Sequence, residues 1–150
     1  MSSRSPRLAS PADGATVQEF VRRAFAHYVP RLGMRPRPMD EDYGELASRG
    51  EVWVAGDPLI GALVLQEGGD HLWVDVIAVD PGQQGRGLGR ELMAFAEKET
   101  RRRGNDEVRL LTNSLMTENV AFYARLGYEE YDRRDEYGTT RVYLRKRLVS

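Results

Sequence analysis

The 150-residue chain has a formal net charge of −1 and 41% hydrophobic residues. That length and composition predict one compact domain, residues 1–150, with a buried core. The near-neutral charge favours neither a nucleic acid nor a membrane as partner, and the absence of cysteine excludes disulfides, thiol nucleophiles and cysteine-ligated zinc.

The first third of the chain predicts two helices. "SPAD", residues 10–13, is typical of a helix start, since serine can cap the helix and proline suits its first turn. Apolar residues then recur at helical spacing at Val17, Phe20, Val21, Ala24 and Tyr28, and Pro30 is expected to stop this helix. A proline-rich loop follows, and residues 39–50 predict a short second helix that ends at Gly50.

From residue 51 the pattern changes to strands. "EVWVA", "IGALVLQ" and "HLWVDVIAV" are β-rich runs separated by the turn sequences "GDP" and "EGGD", which predicts an antiparallel meander. A helix ending at Gly104, the strand "EVRLLTN", the helix "TENVAFYARLG" and a hairpin around Gly138 complete the chain. The predicted class is α/β (α+β): a mixed, mostly antiparallel sheet of six to seven strands with helices on both faces, in the order β-α-α-β-β-β-α-β-α-β-β.

Four glycines stand between residues 82 and 89, where the third strand of the meander passes into a helix. Glycine weakens the first turn of a helix, so another requirement must offset that cost. Loop amides and the first N–H groups of a helix suit phosphate oxygens, which suggests a bound anion. The segment is neither a dinucleotide fingerprint, which needs a third glycine where Arg90 stands, nor a P-loop, which needs a lysine where Leu88 stands.

What remains is Gln84-x-x-Gly87-x-Gly89 after an apolar strand and Asp80-Pro81. This arrangement resembles the pyrophosphate loop of the GNAT superfamily of N-acetyltransferases. The segment "MTENVAFYARLGYEE" resembles that family's second cofactor segment, and the order of the elements is similar over roughly residues 5–148. The resemblance implies the GNAT-like fold and acetyl-CoA as the cosubstrate.

The resemblance also assigns roles to residues of this chain. It places the pyrophosphate at the loop residues Gln84, Gly85, Arg86, Gly87, Leu88 and Gly89. It places the pantetheine arm along Ile77, Ala78 and Val79, where the backbone groups of the first and third would pair with it as with a strand. Asn119 would contact the arm, Tyr123 would act as general acid near the thioester sulfur, and the Val79 N–H would stabilise the oxyanion.

A general base is also expected, because an amine acceptor is mostly protonated near neutral pH. Asp75 is the candidate, since it interrupts an apolar run and shares the strand face of Ile77 and Val79 if pairing is regular. A solvent-facing strand position is the alternative for this residue, and Glu51 and Asp70 are weaker candidates. For Tyr123 the alternative is a packing role with its hydroxyl satisfied elsewhere.

The predicted function is transfer of acetyl from acetyl-CoA to a primary amine of a small molecule or peptide. Attack would be direct, in a ternary complex, because no cysteine can form an acyl-enzyme. The alternative is a non-catalytic acyl-CoA-binding regulatory module of the same fold. The first two helices and the loop between them are expected to select the acceptor, with His27, Tyr28, Arg31, Tyr43 and Trp53 lying there or nearby.

The remaining expectations concern location and assembly. The first ten residues lack the apolar segment of a signal peptide and no stretch reaches transmembrane length, which predicts a cytoplasmic protein without a membrane partner. No metal ligand set and no nucleic-acid partner are expected. The protein is predicted to be a monomer or a homodimer.

Overall fold

The computed structural model describes residues 4–149. The prediction about the first ten residues therefore falls partly, at residues 1–3, outside the described residues. Twelve regular elements make up the described chain. They are β1 (Arg7–Leu8), α1 (Gly14–Phe25), α2 (Tyr28–Leu32), α3 (Tyr43–Ser48), β2 (Val52–Ala55), β3 (Gly61–Glu67), β4 (Leu72–Val79), α4 (Leu88–Arg102), β5 (Glu107–Asn113), α5 (Thr117–Arg125), β6 (Glu129–Glu136) and β7 (Thr139–Arg147). None of the helices between residues 4 and 149 has both the length and the apolar character needed to cross a bilayer.

The seven strands hydrogen-bond in the order β1-β2-β3-β4-β5-β7-β6. Strands β4 and β5 pair in parallel, whereas β1 with β2, β2 with β3, β5 with β7, and β6 with β7 pair antiparallel. The predicted mixed, mostly antiparallel sheet is therefore confirmed, including the final hairpin, which turns at Tyr137 and Gly138 with φ of 53° and 74°.

The first predicted helix is wrong in its extent. It is two helices, since α1 ends at Phe25 and Tyr28 begins the separate helix α2. Pro30 lies inside α2 instead of ending a helix. It is tolerated there because it occupies the third helical position, where a backbone N–H has no intrahelical acceptor to lose. The actual stop is Gly33, which takes a φ of 70°.

The described chain forms two compact units. The first contains the chain up to Leu65 together with Val76–Phe95, and the second contains Gln66–Asp75 and the chain from Ala96 onward. The divisions between them therefore fall within β3, β4 and α4. The single domain inferred from chain length stays a prediction.

In the first unit, helices cover both faces of β2 and β3. Helices α1 and α3 pack on one face through a cluster whose members include Val17, Phe20, Val21, Tyr43, Leu46, Val52, Val54, Ala62 and Val64. On the other face, a Cβ added at Gly61 would lie 3.2 Å from Leu92 and 3.4 Å from Leu88 of α4. Within this unit, the prediction of helices on both faces of the sheet is confirmed.

In the second unit, the buried strand β5 lies between the first part of β4 and β7. Leu72 pairs with Val108 and Val74 with Leu110, and all four side chains are buried. Strand β6 is almost entirely polar and stands at the end of the strand order. Charged side chains on an edge strand discourage pairing with another chain.

Gly14→Ala is expected to lower the free energy of unfolding by about 1–3 kcal/mol, the cost of overpacking a close-packed contact. A Cβ at Gly14 would lie 2.6 Å from the Gly44 nitrogen and 2.7 Å from its α-carbon, so backbone would have to move. Urea denaturation measures the effect. Gly44→Ala is the matched control, because its Cβ would meet atoms only at 3.5 Å. Equal stability of the two variants would contradict the close approach of α1 and α3.

Candidate functional site

The glycine-rich loop joins β4 to α4 through a short 3-10 turn. The Asp80 carboxylate accepts a hydrogen bond from the Gly82 N–H at 3.1 Å, which holds the start of the turn Pro81–Gln83. Residues Gln84–Gly87 follow as an exposed turn, and α4 begins at Leu88. Gly85 and Gly87 both take a φ of 81°, a left-handed conformation that side chains other than glycine disfavour.

The loop has the form of an anion cradle. A Cβ built at Gly85 or Gly87 would meet no atom within 4 Å, so the space beside the backbone is open. The Gly87 carbonyl accepts from the Glu91 N–H at 3.0 Å, which makes Gly87 the residue that caps α4. The N–H groups of a helix's first turn have no intrahelical partners and attract anions. The residues present therefore fit a diphosphate, and α4 is long enough to have an established dipole.

The loop side chains differ in what they can contribute. Leu88 is 1% exposed and anchors the start of α4 in the core, so only its backbone can face a ligand. Gln84 and Arg86 are exposed, and Gly89 lies in the first turn of α4. Arg4 contacts the same loop from the N-terminal segment, donating from Nη2 to the Arg86 carbonyl at 3.0 Å and from Nε to a Glu91 carboxylate oxygen at 2.8 Å.

Strand β4 alternates between buried and half-buried residues along its length. Leu72, Val74, Val76 and Ala78 are buried, and the intervening residues are half-buried. Ala78 thus turns its side chain into the core and can offer only backbone to a ligand. The face assigned by sequence to Asp75, Ile77 and Val79 is the half-buried one, and Trp73 lies on it too.

Asp75 is held by its neighbour on that face. The Trp73 indole Nε1 donates to the Asp75 carboxylate at 3.2 Å, and the indole ring also lies 6.4 Å from the Tyr143 ring. The half-buried carboxylate is not a fully solvated strand position. Asp70 is a poorer candidate base, because its side chain is 85% exposed and a hydrogen bond from His71 lowers its pKa.

The ladder between β4 and β5 runs from Leu72↔Val108 to Val74↔Leu110 in the described chain. Strand β4 itself continues to Val79. Strand positions beyond a ladder have backbone groups suited to an extended ligand. Ile77 and Val79, assigned by resemblance to the pantetheine arm, are in this part of β4.

Helix α5 carries Asn119 and Tyr123 one turn apart, as their spacing predicts. Tyr123 is 5% exposed and its ring makes edge contacts with Phe122 at 5.2 Å and Tyr128 at 6.0 Å. Asn119 is half-buried, and its side-chain amide lies 3.4 Å from the Met116 sulfur. The roles of Asn119 and Tyr123 towards acetyl-CoA stay predictions.

Tyr128 is the inner neighbour of Tyr123 in the second unit. Its hydroxyl donates to a Glu97 carboxylate oxygen at 3.0 Å, and Lys146 contacts the same carboxylate at 3.1 Å. Burial, followed by the nearby Glu97 charge, raises the pKa of Tyr128 well above its usual range. Tyr128 is therefore a neutral structural group.

Several residues named with the acceptor region make contacts within the first unit, and their part in acceptor selection stays a prediction. Tyr43 is 1% exposed, belongs to the core beside α1, and donates its hydroxyl to the Pro38 carbonyl at 2.5 Å. Tyr28 is buried under His27, with the ring centroids 4.0 Å apart. Trp53 stacks on Phe95 at 4.8 Å, and its buried Nε1 has no hydrogen-bond partner among the described residues.

The predicted site residues divide between the two compact units. The first unit holds Ile77–Val79 and the glycine-rich loop, and the second holds Asp75, Asn119 and Tyr123. Two contacts of these residues were not predicted from the sequence, those made by Trp73 and by Arg4. Trp73 could have been found, because residues two apart on a strand share a face. Arg4 lies more than 80 positions from its partners, and no local pattern indicates it.

The sequence matches a family model described as the acetyltransferase (GNAT) domain over residues 48–130. No curated protein matches the chain. Among solved structures, the PaiA N-acetyltransferase of Thermoplasma acidophilum in complex with coenzyme A is 19% identical, with a TM-score of 0.78, covering 95% of this chain and 98% of that one.

Two further structures are similar throughout. The ribosomal-protein-S18-alanine N-acetyltransferase of Escherichia coli is 20% identical, with a TM-score of 0.77, covering 97% of this chain and 94% of that one. The acetyltransferase YncA of Salmonella typhimurium, described as putative and solved with its cofactor acetyl-CoA, is 18% identical, with a TM-score of 0.71 and coverage of 97% and 94%. At these identities the similarity establishes the fold.

Proposed function

This chain belongs to the acetyltransferase (GNAT) domain family, and we propose that it transfers acetyl from acetyl-CoA to a primary amine of a small molecule or peptide. The observation that carries the proposal is the glycine-rich loop. Two left-handed glycines with open space beside them stand at the start of a 15-residue helix, and this arrangement would suit a diphosphate. Two of the similar structures were solved with coenzyme A or acetyl-CoA.

The proposal gives the loop the diphosphate and the far end of β4 the pantetheine arm. Backbone N–H groups of residues 85–89 would bind phosphate oxygens, and the backbone of Ile77 and Val79 would pair with the arm. Ala78 and Leu88 would contribute through their backbone alone. Asn119 would contact the arm from α5.

The acyl-transfer step would use two groups of this chain, and a third would act on the amine. Bound acetyl-CoA would supply an activated acetyl thioester. Its C–S bond would break as the neutral amine nitrogen gains the acetyl group and loses an N–H proton, and the leaving thiolate would take up a proton to give free coenzyme A. Tyr123 donates a hydrogen bond to the leaving sulfur, and the Val79 N–H donates to the carbonyl oxygen as charge develops there. The lack of cysteine favours direct attack by the amine over an acyl-enzyme.

Asp75 is proposed to accept the proton of the incoming ammonium, directly or through water. An alkylammonium with a pKa of about 10.4 is neutral in only about one molecule in a thousand near pH 7. Removing that proton requires a base, and Trp73 orients the Asp75 carboxylate by the hydrogen bond from its indole. The proton then leaves to solvent.

An acceptor screen tests the activity. The protein is incubated with acetyl-CoA and a panel of simple amines, amino acids, aminoglycosides and peptides, and released thiol is recorded together with the mass of the acetylated product. Thiol release that depends on one class of amine supports the proposal. Tight binding of coenzyme A without turnover on any amine would instead support the non-catalytic module.

Asp75→Asn is expected to lower kcat/KM for the amine by about 100-fold at pH 7, the low end of general-base contributions. The deficit should shrink as the pH approaches the acceptor's own pKa, because more of the amine is then neutral without help. A pH series of initial rates measures this. Asp70→Asn is the matched control and should behave like the parent at every pH. A deficit constant across the series would contradict a role for Asp75 as base.

A further inference from the structure

The Arg4 side chain in the N-terminal segment forms hydrogen bonds with the glycine-rich loop and the first turn of α4. Arg4 donates to the Arg86 carbonyl at 3.0 Å and to the Glu91 carboxylate at 2.8 Å, so one guanidinium spans the end of the loop and the first turn of α4. All four residues involved, counting Gly87 between them, lie in the first compact unit.

The contact to Arg86 has a consequence for Gly87. The peptide linking them is trans, since the cis bond of the described chain is Asp57-Pro58. The C=O and N–H of a trans peptide are coplanar and point in opposite directions. Holding the Arg86 oxygen towards Arg4 therefore aims the Gly87 N–H away from Arg4. Gly87, at a φ of 81°, would otherwise have the wide conformational freedom of glycine.

The contact to Glu91 has an electrostatic consequence. An acidic residue in the first turn stabilises a helix, but its charge also repels an anion bound at the same end. The Arg4 guanidinium pairs with that carboxylate. The two side chains are 31% and 54% exposed, so their ion pair contributes little to the stability of the fold. Its main expected effect is to reduce the repulsion between the Glu91 carboxylate and a bound diphosphate.

We propose that Arg4 is a positioning residue for the cosubstrate diphosphate: it orients the Gly87 amide and neutralises Glu91, without itself touching the phosphates. This inference rests on the proposed function, since it assigns Arg4 to the same loop. It predicts that the N-terminal segment sets the affinity for coenzyme A and leaves the chemical step unchanged.

The experiment measures binding of coenzyme A by titration calorimetry. Arg4→Ala is expected to raise the Kd for coenzyme A about 10-fold. Without the Arg4 contact, about one residue of the loop regains conformational freedom that binding must then remove. Arg4→Lys, which keeps the charge but cannot span both partners, should fall between parent and alanine variant. Adding Glu91→Gln to Arg4→Ala should recover part of the loss. Arg7→Ala is the matched control, because Arg7 also donates to a backbone carbonyl, that of Gly56, at 2.9 Å.

A second readout separates positioning from general damage. In Arg4→Ala, KM for acetyl-CoA should rise with kcat unchanged, while kcat/KM for S-acetylpantetheine, which has no diphosphate, should equal that of the parent. A parent without affinity for coenzyme A would overturn the proposed function and this inference together. A parent that binds, with an Arg4→Ala variant that binds equally well, would overturn the inference alone.

Discussion

Replacing Gly87 by valine is expected to weaken binding of coenzyme A by about 100-fold or more. A left-handed conformation costs a residue with a Cβ about 1–2 kcal/mol, and a β-branched side chain more. Each hydrogen bond lost to a charged phosphate oxygen removes a further 1.5–3 kcal/mol, roughly, if the loop shifts to relieve the strain. Loss of two such hydrogen bonds removes about 3–6 kcal/mol, which exceeds the roughly 2.8 kcal/mol that corresponds to 100-fold.

Gly104→Val provides the matched control for this prediction. Gly104 follows the other end of α4 with a φ of 82°, and a Cβ there would also meet no atom within 4 Å. Both variants should therefore lose similar stability in thermal denaturation, and only Gly87→Val should lose affinity in calorimetry. If Gly87→Val bound coenzyme A as tightly as the parent, the loop would not be the diphosphate site.

The glycine-rich loop shows what sequence alone could predict. Its glycines, the strand before it and the helix after it form a local pattern, and backbone geometry follows local pattern closely. Gly85 and Gly87 proved to be the two that need positive φ, while Gly82 lies in the 3-10 turn and Gly89 in the helix. The strands could be predicted from the sequence as well, because period-two alternation and turn residues are both local signals.

The features that could not be predicted from the sequence depend on tertiary contacts, which the periodicity of the sequence does not encode. Tyr28 fits the helical pattern of α1 and is buried, yet it begins a new helix, because burial of one position does not decide which helix supplies it. Tyr43 lies in the core, where its single polar atom is satisfied by one partner, the Pro38 carbonyl, and the sequence pattern does not indicate this contact. Arg4 reaches its partners through the tertiary fold alone.

Tyr123→Phe is expected to lower kcat by about 100–1,000-fold, the effect of removing one donor from developing negative charge. A phenol with a pKa near 10 facing a thiolate with a pKa near 8.5 transfers its proton uphill by roughly 2 kcal/mol, so a hydrogen bond to the sulfur is the more economical role. The variant should still bind coenzyme A, because the phosphate cradle does not include α5.

Tyr128→Phe supplies the contrast, since it removes a buried hydroxyl from the adjacent ring without altering Tyr123 itself. Loss of its hydrogen bond to Glu97 should cost about 1 kcal/mol of stability and leave kcat near the parent value. Steady-state kinetics, calorimetry and thermal denaturation on the two variants therefore give opposite patterns. Should Tyr123→Phe turn over normally while losing stability like Tyr128→Phe, Tyr123 would be a packing residue. The donor to the leaving sulfur would then be another group.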